Sequence, residues 1–183
     1  MDITKEAIQR LREAAQKLFK VQIIDEVEQR NLLQLEKSMS KAKGSKDARD
    51  IVAAYLHRVK IPLKTEIKID AGTWRAYVFY LESINLLITY KTHFLTNFGR
   101  MFTGKDEEGT GLNKVLADWC VDNFVDALVI VRPDKTTHYV MVKELMDYAG
   151  AHNTVRAFRG MEELHIPITM LNPFPPPQLR GAE

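Results

Sequence analysis

At Pro62 the hydrophobic period of this chain changes, and that change limits the fold more than any other feature. Before it, apolar residues recur at helical spacing. Ile8, Leu11, Ala15 and Leu18 follow a 3-4-3 pattern that places them on one stripe, and Leu32, Leu35 and Met39 resume it after a slip near Val21 to Ile24. The spacing predicts one long helix, or two in line, over residues 3–40. Gly44 marks a turn, Ser45 or Asp47 is placed to cap the next helix, and Ala48, Ile51, Val52, Tyr55 and Leu56 form its apolar face. Residues 1–60 therefore read as a helical hairpin arm whose apolar stripe needs a partner, and a homo-oligomer through this arm is expected.

After Pro62 the period falls to two. Leu63, Thr65, Ile67 and Ile69 alternate with Lys64, Glu66, Lys68 and Asp70. Trp74 to Leu81 is apolar on both faces, and Ile84 to Tyr90 mostly alternates again, which reads as an antiparallel meander. A glycine-rich loop spans 99–111. A helix carrying Leu112, Val115, Leu116, Trp119 and Cys120 on one face leads into two strands, Asp126–Val131 and Thr136–Val142, and then a helix over Lys143–His152. One further strand is expected around Ile166–Leu171. The expected class is α+β, with a helical hairpin, an antiparallel β-meander and a C-terminal αββα unit. The parts divide as a 1–60 arm, a 61–171 α/β body and a proline-rich flexible tail over 172–183.

Composition excludes several classes. The apolar runs are far shorter than the roughly 20 residues of a membrane span, so no membrane partner is expected. The N-terminus lacks an apolar core segment, so no signal peptide is expected. Cys120 is alone and cannot form an internal disulfide or a thiolate zinc cluster. Together these favour an intracellular, cytoplasmic protein. The net charge of +2 allows nucleic acid as a partner without requiring it.

Gly99 to Asp106 matches the G-x-x-x-x-G-K spacing of a phosphate-binding loop, but Asp106 stands where a hydroxyl must meet magnesium, and no helix opens behind it. The five histidines show no i, i+4 pair. A basic and aromatic set is more suggestive. Trp74 and Tyr77 are interleaved with Lys64, Lys68, Arg75, Lys91, His93 and Arg100. Cations neutralise phosphates and exposed aromatics stack on bases, so these residues are the expected DNA- or RNA-binding surface. Lys37, Lys41, Lys43 and Lys46 add a second basic cluster.

Over residues 112–152 the order helix, strand, turn, strand, helix, with Asp126 opening the first strand and Lys143 closing the second, resembles the core of the PD-(D/E)xK nucleases. The resemblance implies Asp126 as a magnesium ligand and Lys143 as the lysine that orients the attacking water. The family's second acid falls here on Met141, a poor ligand for a hard cation. The leading expectation is a non-enzymatic nucleic-acid-binding accessory protein that requires no cofactor. The alternatives are an oligomeric adaptor or structural protein, and a magnesium-dependent nuclease using Asp126 and Lys143.

Overall fold

The computed structural model describes residues 3–71, 74–91, 99–132, 134, 136–152, 155–158 and 160–180. The fold is α+β, with helices at the N-terminus and a mixed sheet. Helix α1 runs unbroken from Ile3 to Met39, so the slip in its stripe does not divide it. Helix α2 (Ser45–Arg58) follows, with Gly44 as its N-cap. Neither Ser45 nor Asp47 caps it. The Asp47 carboxylate accepts from the Lys43 N–H at 2.8 Å, and Ser45 Oγ accepts from the Tyr90 N–H at 3.2 Å.

Strands β1 (Thr65–Ala71), β2 (Trp74–Tyr80) and β3 (Leu86–Tyr90) form the meander. The chain then passes through the one-turn helix α3 (Arg100–Thr103), strand β4 (Gly109–Asn113) and helix α4 (Lys114–Asp122), whose N-cap Asn113 accepts from the Val115 N–H at 2.8 Å. Strand β5 (Ala127–Val131) lies parallel to β3, with Leu86 opposite Ala127. Strand β6 (Thr137–Met141) returns antiparallel and runs directly into helix α5 (Val142–His152). The meander and the αββα unit thus share one sheet of order β1-β2-β3-β5-β6, closed by β9 (Asn172–Pro173).

Both faces of this sheet are covered, which explains why its central strands are apolar throughout. Leu35 and Met39 of α1, Ala48, Val52, Tyr55 and Leu56 of α2, and Phe174 and Leu179 pack on Phe79, Leu86, Ile88, Ala127, Val129 and Val131. On the other face α4 and α5 cover Ala76, Val78, Leu87, Leu128 and Ile130. A three-stranded sheet assists them, built from β4, β7 (Val155–Phe158) and β8 (Met161–Pro167).

Three expectations are corrected. The region 154–171 holds two strands rather than one, joined through Gly160, whose φ of 81° suits the tight reversal. The glycine loop contains strand β4. The 172–183 tail is not free over its described part, because Phe174, Pro175, Pro176 and Leu179 are buried and Asn172–Pro173 pairs with β6.

Candidate functional site

Register puts Lys68, Arg75 and Tyr77 on one face of the β1–β2 hairpin, while Lys91 and Arg100 lie elsewhere. Tyr77 is 8% exposed and lies on the same side of β2 as the wholly buried Phe79, so its ring is core and not a platform for a base. Both rings are needed to fill a sheet that is covered on each side. The side chain of Trp74 and the whole of His93 lie outside the described residues. Lys64, Lys68 and Arg75 are exposed on the β1–β2 hairpin, where Lys68 lies 3.9 Å from Asp70 and Arg75 stands opposite Asp70 in register.

Lys91 is turned inward rather than presented to solvent. Its ammonium donates to the Gly111 carbonyl at 3.0 Å, tying the large sheet to β4. Burial holds its pKa below the usual lysine value, against the opposing pull of Glu163. Arg100 is held by Asp106 through two hydrogen bonds of 2.7 and 2.8 Å, which close the α3 loop on itself. Cys120 is fully buried, and burial pushes its thiol up to about 12, which removes it as a nucleophile near neutral pH.

Asp126 and Lys143 do meet the same feature. They line an open cleft between the C-terminal end of α4 and the N-terminal end of α5, of about 330 Å³, together with Val121, Phe124, Val125, Val142, Met146 and Asp147. Their engagements are structural. Asp126 Oδ2 accepts from the Asn85 N–H at 2.8 Å, and the Asp126 carbonyl accepts from the Val142 N–H at 2.8 Å. Lys143 donates to Asp147 at 2.9 Å on the exposed face of α5. These residues do not fit a magnesium cage, which draws on several hard oxygens. Asp126 is the one carboxylate that the nuclease pattern supplies here, and the Met141 thioether stands at the second acid's place.

What distinguishes the cleft is Phe124, a residue the periodicity left without a role. It is 78% exposed, and Val121 beside it is 51% exposed. Its φ is 59°, in the left-handed region that bulky residues rarely enter. The conformation follows from how α4 ends. Val125 N–H donates back to the Cys120 carbonyl at 2.9 Å in a Schellman closure, where glycine is the usual occupant. The Asn85 side-chain amide donates to the Phe124 carbonyl at 2.8 Å and fixes the turn from the other side. The cleft therefore has an apolar floor, beside which a fixed backbone turn presents an aromatic ring to solvent. Among the described residues its charged lining is Asp126, Asp147 and Lys143, with Lys143 paired to Asp147.

A second unpartnered surface lies on α1. Among its described side chains none before Leu35 is buried, and Ile8, Leu11, Val27 and Leu33 are 46%, 70%, 47% and 65% exposed. At 1.5 Å per residue, about 43 Å of helix precedes Leu32, the first described apolar side chain of α1 that packs on the body. Among the described residues no helix is long and apolar enough to cross a membrane. Compared with protein-family models, curated proteins and solved structures, the chain matches none.

Proposed function

We propose that this protein is a non-enzymatic, self-associating adaptor whose assembly element is the projecting part of α1. One observation carries the reading: a helix of 37 residues in which, among the described apolar side chains, those packed on the body begin at Leu32, while Ile8, Leu11 and Val27 stand exposed. Isolated helices are marginal in water, and an amphipathic helix draws its stability mainly from burying its apolar face. Ile8 and Leu11, three residues apart on one face and both exposed, have no such burial within the chain. Association with another copy supplies it.

Sedimentation equilibrium across the micromolar range tests the reading. Wild type is expected to show concentration-dependent oligomers, and Leu11→Asp and Leu18→Asp to shift it toward monomer while keeping the circular dichroism of the body. A wild type that stays monomeric throughout overturns it.

A second reading keeps nucleic acid as a partner, because Lys37, Lys41, Lys43 and Lys46 are exposed around the turn between α1 and α2. Such a cluster binds phosphates without base stacking, so affinity must fall steeply with salt. Fluorescence anisotropy of labelled DNA and RNA at two salt concentrations tests it. Salt-sensitive binding lost on replacing these four lysines supports it, and an unchanged signal at low salt removes it.

A further inference from the structure

We infer that the receptor for the projecting α1 helix is the α4–α5 cleft of a second copy of this chain. This rests on the self-association reading above and names the surface that reading leaves open.

The two surfaces complement one another in shape and charge. The cleft offers Val121, Phe124, Val125 and Met146 as an apolar floor, with a volume that takes large aliphatic side chains. Its charged lining is two carboxylates, Asp126 and Asp147, against one lysine, Lys143. The projecting helix presents Ile8 and Leu11 at i, i+3, the spacing of anchors in helix-in-groove recognition. Residues 3–20 carry Lys5, Arg10, Arg12, Lys17 and Lys20 against Glu6 and Glu13, so this part of the helix is basic where the cleft's lining has an excess of acid.

Phe124 is shaped for this role. An aromatic ring held at a positive φ, with little of its surface in contact with its own fold, contributes little to folding. The Cys120 and Asn85 hydrogen bonds fix the backbone that carries it, so the ring is presented from a set point on the fold.

The partner must be another molecule. Helix α1 is continuous and is anchored through Leu35 and Met39 on the sheet face opposite α4 and α5. Its projecting end cannot double back around the sheet to its own cleft. The contact therefore joins two different surfaces of two copies, which exchange reciprocally in a two-fold dimer, close into a ring or continue as an open chain.

A mixing experiment separates this from pairing of helix with helix. Leu11→Asp spoils the helix and keeps the cleft, while Phe124→Asp spoils the cleft and keeps the helix. Both positions are exposed, and aspartate tolerates the left-handed conformation at 124 better than phenylalanine does, so both variants are expected to retain the fold. Each alone is expected to lose association by about tenfold or more. Mixed in equal amounts they are expected to recover a 1:1 heterodimer by sedimentation, joined through the one intact pair of surfaces. If wild type associates and Phe124→Asp associates equally well, the cleft is not the receptor, and the self-association reading survives without it. A mixture that stays monomeric also overturns the inference, and a monomeric wild type overturns both.

Discussion

The phenol of Tyr55 donates a 2.8 Å hydrogen bond to the carbonyl of Leu179, 124 residues away in sequence, with both residues fully buried. Phe174 sits edge-on to the same ring at 6.4 Å, and Arg180 Nε donates to the Pro175 carbonyl at 2.8 Å, so the C-terminal segment is clasped onto α2. Tyr55→Phe leaves the Leu179 carbonyl buried without its donor and is expected to cost about 1–2 kcal/mol. Phe174→Ala opens the core at the same place and is expected to cost about 3 kcal/mol or more. Urea unfolding reads both, and a Phe174→Ala protein as stable as wild type contradicts the clasp. Burial pushes the Tyr55 phenol up to about 12. The folded state thus favours the neutral form, so this contribution is whole below the ordinary value of 10.0 and is lost as pH rises toward 12.

Arg49 of α2 grips Glu66 of β1 through both carboxylate oxygens, and its guanidinium also lies 5.4 Å from the centre of the Phe79 ring. Hydrogen bonding to Arg49 holds the Glu66 carboxyl below its usual 4.5, more than burial raises it. The ionised form is the one the fold favours, so the stabilisation is present above that value and is lost as pH falls through the lower, folded one. Glu66→Gln is expected to cost about 2 kcal/mol at neutral pH and to flatten the acid limb of a stability–pH profile. An unchanged acid limb shows that the bridge does not hold in solution.

Gly109 approaches β8 so closely that a Cβ there would lie 2.4 Å from the Ile166 carbonyl oxygen and 2.6 Å from Cε1 of the buried His165. The first clash is with backbone, which cannot rotate away. Gly109→Ala is expected to lower stability by about 2–3 kcal/mol and to loosen the small sheet, read as faster hydrogen exchange of the β4 and β8 amides. Gly104→Ala serves as a contrast, since its cost comes from a φ of 76° with open space around it.

These positions mark where the sequence was legible and where it was not. Periodicity placed α1, α2, β1–β3 and the αββα unit, because each segment carries its own apolar pattern. It missed β4, whose opening sets Thr110 between two strand-disfavouring glycines and pairs along β8. It read the tail by its prolines, although Phe174 and Leu179 supply the anchors. It also left open which way Tyr77 points. That depends on whether a sheet is covered on one face or two, a non-local fact set by the parallel β3–β5 pairing. Asp126 and Lys143 were legible as neighbours, since both line the cleft. Phe124 was not, because a helix that closes without glycine carries no local stop signal.

Phe124 offers a test in which stability and association move in opposite directions. Relief of a left-handed bulky residue is worth about 1–2 kcal/mol, and glycine returns about 0.5–1 kcal/mol of that through the unfolded chain's extra freedom. With 78% of the residue exposed, little packing is lost. Phe124→Gly is therefore expected to raise the unfolding free energy by roughly 0.5–1 kcal/mol while weakening self-association as strongly as Phe124→Asp does. Both outcomes together assign the ring to contact with a partner rather than to folding. If Phe124→Gly is instead destabilised and associates as wild type does, the ring belongs to the core of its own chain, and the cleft loses its claim as a docking surface.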